Sequence, residues 1–239
     1  MSGDRPANDG RELDSMTWVK ICGITNLEDA LTAVEAGADA VGFVFYEKSL
    51  RKISPGAAGE IVEKLPVQLE KVGVFVNESA EQINQSVRQA GLTAVQLCGK
   101  DSVLGFIKYM QAQPNANHRP KVISVISGRE VAEGGFLFSD KLRDALYALL
   151  VDSGSAAQPG GTGNRFDWEK SSGAFEMLSM RIPAIVAGGL TPENVPEALM
   201  LLHPWGVDVS SGVESKPGKK DPEKVRAFVS AVRHAERLI

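Results

Sequence analysis

Trp18-Val19-Lys20-Ile21, followed at once by Cys22-Gly23-Ile24-Thr25, separates two common α/β architectures. The first four residues make a short run suited to a buried strand. An open doubly wound sheet that binds a dinucleotide would continue it with a G-x-G-x-x-G turn. The chain instead offers one cysteine and one glycine, which counts against that sheet. Moving outward, similar runs rich in Val, Ile and Phe recur at Ala40–Phe45, Val72–Val76, Ala94–Leu97, Val122–Ile126, Ala148–Val151, Ala184–Ala187 and Gly206–Val209. Near-continuous apolar runs suit strands covered on both faces, as in a parallel sheet.

Between the runs lie stretches of helical period. Leu27, Ala30, Leu31 and Val34 recur at i, i+3, i+4 and i+7, as do Val195, Ala198, Leu199 and Leu202, and Val225, Phe228, Val229 and Val232. Each set predicts one apolar stripe on a helix. Thr191-Pro192 and Asp221-Pro222 predict helix starts, with a capping side chain before proline at the first helical position. Roughly eight strand–helix units result, the number that closes a (β/α)8 TIM barrel. The expectation is one barrel domain over residues 16–239, behind a disordered extension of residues 1–15. The irregular stretches Gln113–Pro120 and Ser153–Arg165 are expected to be loops within it.

The 239 residues are near the usual size of such a barrel, and 43% of them are hydrophobic. A net charge of -4 and a pI near 5.5 argue against nucleic acid as a partner. No apolar stretch reaches the roughly 18 residues of a membrane span. Cys22 and Cys98 are too few and too distant in sequence for a disulfide framework or a cysteine zinc site, so a reducing compartment is expected. The polar opening MSGDRPANDGRELDS lacks the apolar core of a secretory signal, and its acidic residues oppose a mitochondrial presequence. The expected location is cytoplasmic.

Barrel enzymes carry their chemistry in the loops after the strands. That rule selects Cys22 and Gly23, the stretch Tyr46–Pro55 with Arg51, Cys98 and Gly99, Asp152, Gly188 and Gly189, and finally Asp208, Ser210, Ser211 and Gly212. Glycine-rich turns after the seventh and eighth strands expose backbone N–H groups to an oxygen-rich ligand, the usual phosphate position in barrels. Pro159-Gly160-Gly161-Thr162-Gly163 could close over the same group. Plainer readings stand beside these. Glycines also make tight turns, a lone cysteine is often a small buried hydrophobe, Asp152 could cap a loop, and Arg51 could be a solvated charge.

Val19–Thr25, Gly42–Tyr46 and Arg51–Pro55 together resemble the phosphoribosylanthranilate isomerases of tryptophan biosynthesis. Val72–Asn77, Val95–Leu97, Gly160–Gly163 with Phe166–Trp168, Ala187–Val195 and Gly206–Ser215 extend the likeness in family order over about residues 17 to 232. The resemblance implies an Amadori rearrangement of a phosphorylated ribosyl-amine with Cys22 as general base and Asp152 as general acid. It implies Arg51 at the anthranilate carboxylate, Asp208 near the ribose hydroxyls, and phosphate at Gly188-Gly189 and Ser211-Gly212, under Gly160-Gly161. No metal or cofactor is needed, and a monomer or homodimer is expected. Cys98 departs from the pattern, since the family usually carries histidine there. The histidine-pathway isomerase that performs the same rearrangement uses two aspartates, so Cys22 discriminates against it. A non-catalytic phosphate binder is the remaining alternative.

Overall fold

Side chains on a strand alternate between faces, so a closed parallel barrel sorts each apolar run into two cores. Val19 and Ile21 pack outward against the helices, whereas Trp18 joins Ala40, Ala94, Ala148 and Ile185 in the lumen. The computed structural model describes residues 16–113, 119–134, 139–154 and 165–238. Its strands are β1 (Trp18–Cys22), β2 (Ala40–Val44), β3 (Glu70–Val76), β4 (Ala94–Cys98), β5 (Lys121–Ser127), β6 (Ala148–Asp152), β7 (Ala184–Val186) and β8 (Gly206–Val209). They pair in sequence order, and β8 returns to β1 in parallel, with Lys20 opposite Asp208. The (β/α)8 barrel expected from the sequence is therefore present, and all eight apolar runs are its strands.

The covering helices are α1 (Leu27–Ala36), α2 (Pro55–Val62), α3 (Ala80–Ala90), α4 (Lys100–Gln111), the short α5 (Gly128–Ala132) and α6 (Asp140–Arg143), then α7 (Trp168–Ser179), α8 (Val195–Leu202) and α9 (Pro222–Ala235). Between β8 and α9 lie a 3-10 turn (Ser211–Val213) and a hairpin of β9 (Glu214–Lys216) and β10 (Lys219–Lys220). Asp221 caps α9 by accepting from the N–H groups of Glu223 and Lys224, with Pro222 leading the helix as expected. No described helix is long and apolar enough to cross a membrane. The expected extension 1–15, most of the expected loop 113–120 and most of the loop 153–165 lie outside the described residues.

Two local expectations are corrected. Thr191-Pro192 does not begin α8: Thr191 and Pro192 form a turn in which the Thr191 carbonyl accepts from Asn194 and Val195 N–H, and the helix starts at Val195. Leu31 is exposed, although the period placed it on the buried stripe. The face of α1 that turns inward holds Asp29, Ala30, Thr32 and Ala33. Polar anchoring accounts for the rotation. Asp29 accepts from Asn26 Nδ2 at 2.9 Å, Lys219 Nζ at 2.7 Å and the Lys220 N–H at 2.8 Å. A buried carboxylate needs those partners, and turning it inward turns Leu31 out.

The lower, N-terminal end of the lumen is closed by aromatic rings. Trp18 stacks on Trp205 with centroids 5.3 Å apart, and Tyr147 meets Trp205 edge-on at 5.6 Å. The candidate site residues lie at the other end, where the strands finish.

Candidate active site

The period-two alternation that sends Trp18 into the lumen sends Lys20 and Cys22 there too, two and four residues on. It likewise aligns Ala94, Gln96 and Cys98 on β4, and Ala148, Leu150 and Asp152 on β6. Cys22 is buried and sits in register with Gly42 of β2. A Cβ at Gly42 would lie 2.7 Å from Cys22 Sγ, closer than a methyl group can approach, so glycine there makes room for the thiol. Burial raises the Cys22 pKa, with Asp208 adding to the rise, while Lys20 and then Lys220 oppose it.

Asp152 ends β6 opposite Ser127 of β5. Its Oδ1 accepts from the Gly154 N–H at 2.7 Å and the Ser153 hydroxyl at 3.4 Å. Burial nonetheless raises its carboxyl pKa, and Asp208 adds to the rise against the pull of those hydrogen bonds and Lys20. A desolvated carboxyl of this kind holds its proton longer than a free aspartate. Cys98 reaches the same rim, but burial, then Asp152 and Cys22, push its thiol up to about 12.

Below the rim stands a buried polar cluster, Lys20, Gln96 and Asp208, of which the sequence reading singled out only Asp208. Lys20 is fully buried and donates to Gln96 Oε1 at 3.0 Å, and its Nζ lies 2.9 Å from Asp208 Oδ2. Burial alone would depress the ammonium, yet Asp208 and Cys22 hold its pKa above the ordinary value. Asp208 Oδ1 and Ser210 Oγ are buried without a hydrogen-bond partner among the described residues. Unpaired acceptors are costly inside a protein and are common where a ligand completes the set. Lys20 and Gln96 had a signal in the sequence, since each interrupts an apolar run at a lumen-facing position.

Arg51 lies at the rim, engaged by a residue that the sequence did not single out for pairing. Its Nε and Nη2 donate to the two carboxylate oxygens of Glu214, both at 2.8 Å. Lys220, also buried, reaches Glu214 Oε1 at 3.0 Å and the Ser210 carbonyl at 3.1 Å. Although burial opposes it, Arg51 and Lys220 hold the Glu214 carboxyl below its ordinary value. Nη1 of Arg51 stays outside this fork.

The glycine-rich ends of β7 and β8 meet. The ladder between those strands ends at Val186 and Val207, beyond which Gly188 and Gly189 both take positive φ. Asn194 braces that turn, donating to the Gly189 carbonyl and accepting from the Thr191 N–H, both at 2.8 Å. Gly212 packs so closely on it that a Cβ would sit 1.9 Å from the Leu190 carbonyl oxygen. Gly188, Gly189, Ser211 and Gly212 are thus gathered on one side of the rim. Gly160 and Gly161 lie outside the described residues. Among the described residues, no three His, Cys, Asp or Glu side chains converge as a metal-holding group.

Comparison with known proteins places the chain in a family. A relative from Citrifermentans bemidjiense named N-(5'-phosphoribosyl)anthranilate isomerase is 44% identical over 91% of this chain and 98% of its own length. The monomeric form of the dimeric phosphoribosylanthranilate isomerase of Thermotoga maritima superposes with a TM-score of 0.74 at 38% identity, covering 92% of this chain and all of that one. A phosphoribosyl anthranilate isomerase in complex with reduced 1-(o-carboxyphenylamino)-1-deoxyribulose 5-phosphate, also 38% identical with the same coverage, gives a TM-score of 0.71. The family model of N-(5'-phosphoribosyl)anthranilate isomerase matches residues 19–231, and the chain belongs to that family.

Proposed function

We propose that Cys22 and Asp152 are the general base and general acid of this isomerase. The reaction of the family is the Amadori rearrangement of N-(5'-phosphoribosyl)anthranilate to 1-(2-carboxyphenylamino)-1-deoxyribulose 5-phosphate in tryptophan biosynthesis. Asp152 gives its proton to the furanose ring oxygen as the C1'–O bond breaks and the anilino nitrogen forms a Schiff base. That imine acidifies C2'–H, the Cys22 thiolate removes the proton, and the electron pair left behind makes an enolamine. The enol hydroxyl at C2' then gives up its proton as C1' gains one, which leaves the ketone at C2'. The observation that carries this reading is the shared alternation of β1 and β6, which turns one buried thiol and one half-buried carboxyl toward the lumen at the rim.

The remaining groups fit the ends of the substrate. Arg51, held in a fork by Glu214 with Nη1 to spare, suits the anthranilate carboxylate. Asp208 Oδ1 suits a ribose hydroxyl donor. Gly188-Gly189 and Ser211-Gly212 suit the phosphate. The assembly we favour is a monomer or homodimer. Turnover of freshly generated phosphoribosylanthranilate is followed by the fall of its fluorescence. Cys22→Ala should lose at least the roughly 10²–10⁴-fold expected of an acid–base group, with affinity for a product analogue kept within a few-fold. Turnover like the parent's would remove Cys22 from the chemistry.

A further inference from the structure

We propose that Lys20 is a positioning residue for the base: its buried ammonium, fixed by Gln96 and Asp208, is the counter-charge that lets Cys22 exist as a thiolate. This rests on reading Cys22 as the base. Both side chains project from the same face of β1, one alternation apart. They converge on Gly42, where a Cβ would lie 3.0 Å from Lys20 Cε and 2.7 Å from Cys22 Sγ, so the two chains flank the space of one missing methyl group. An ammonium has three N–H donors. Gln96 Oε1 and Asp208 Oδ2 engage two of them, leaving one for a sulfur anion.

A fully buried lysine is expensive to keep charged, and a β-barrel lumen has many apolar alternatives for that position. Asp208 alone explains why the ammonium survives there but not why it stands beside Cys22. The charged and titratable groups that face Cys22 are Lys20 on its own strand, Asp208 on β8, Lys220 on β10, Arg51 after β2 and Cys98 on β4. Lys20 is the strongest of those that favour the thiolate, and Asp208 opposes it. Asp208 therefore has two opposed effects: it anchors the ammonium and repels the anion.

That opposition supplies the test. Iodoacetamide alkylates thiolates far faster than thiols, and peptide mass spectrometry across a pH series gives the rate at Cys22 separately from Cys98. In Lys20→Gln, Cys22 labelling at neutral pH should slow by roughly tenfold or more and its midpoint should move to higher pH. In Asp208→Asn, where the amide oxygen can still accept from the ammonium but no carboxylate repels the sulfur anion, labelling should quicken and the midpoint should fall. Loosening of the pocket would move both variants in the same direction, so parallel shifts overturn the proposal, as does a Lys20→Gln rate equal to the parent's. If Lys20→Gln does not fold, Asp208→Asn still decides, because unchanged or slower labelling there contradicts the charge balance. Cys22→Ala separates the two readings: full turnover in it would end the role of Cys22 as base while leaving the labelling result to judge Lys20.

Discussion

As base and acid of the proposed mechanism, Cys22 and Asp152 would react in the less populated arrangement of their shared proton, thiolate with carboxylic acid. With ordinary values of 9.0 and 3.8 that arrangement would hold about one molecule in 10⁵. Burial of Asp152 narrows the gap from below. Burial of Cys22 widens it from above, and Lys20 pulls it back. In such a system the acidic limb of a kcat/KM profile belongs to the carboxyl and the alkaline limb to the thiol, the reverse of the usual assignment. Asp152→Asn keeps the shape but has no acidic proton, so it should lower turnover of the closed furanose by roughly 10²–10⁴-fold. Substrate supplied already ring-opened should lose much less, and equal losses on both would give Asp152 another task. Cys98, with its thiol pushed up to about 12, is un-ionised at neutral pH. A polar but un-ionised side chain at the position where the family usually has histidine is compatible with chemistry carried by Cys22 and Asp152.

At the scale of elements, the turn after β7 and the 3-10 turn after β8 act as one unit because Gly212 lies against Leu190. Gly212→Ala would force the two apart, at a cost of about 1–3 kcal/mol for overpacking. If phosphate is held between them, KM for the phosphorylated substrate should rise severalfold, and competition by free sulfate should weaken, with kcat less affected. An unchanged KM in a folded variant would place the phosphate elsewhere. The strands were legible in the sequence because both faces of a barrel strand are apolar, and that pattern survives without knowledge of partners. The turn of α1 was not, since the inward pull on Asp29 comes from Lys219 and Lys220, about 190 residues away in sequence. Arg51 could be recognised at the rim from its motif. Its fork with Glu214, 163 residues distant, appears only once β2 and the β9–β10 hairpin are folded onto the same rim. Lys20 and Gln96 were visible as interruptions of apolar runs, but only the closed barrel shows that both interruptions meet.

Across the whole molecule, the proposed acid role of Asp152 would set function against stability. Its folded-state pKa lies above the unfolded value near 3.8, so the native state is fully stabilised below that pH and loses stability as pH rises through the folded value. Asn at this position carries no charge to desolvate and can still accept from Gly154. Asp152→Asn should therefore melt higher than the parent at pH 7, and the two melting curves should converge below about pH 4. A lower melting temperature at pH 7 would contradict a carboxyl kept at the expense of stability. The aromatic floor of the lumen bears on how such curves can be read. Trp18 belongs to β1 and Trp205 immediately precedes β8, so their stacked rings lie across the seam where the first strand joins the last. The chain has three tryptophans, and the remaining one, Trp168, sits on α7 with a buried indole N–H that no described residue accepts. With Trp168 replaced by phenylalanine, every photon of indole emission would originate at the seam, and fluorescence would become an optical gauge of ring closure alone.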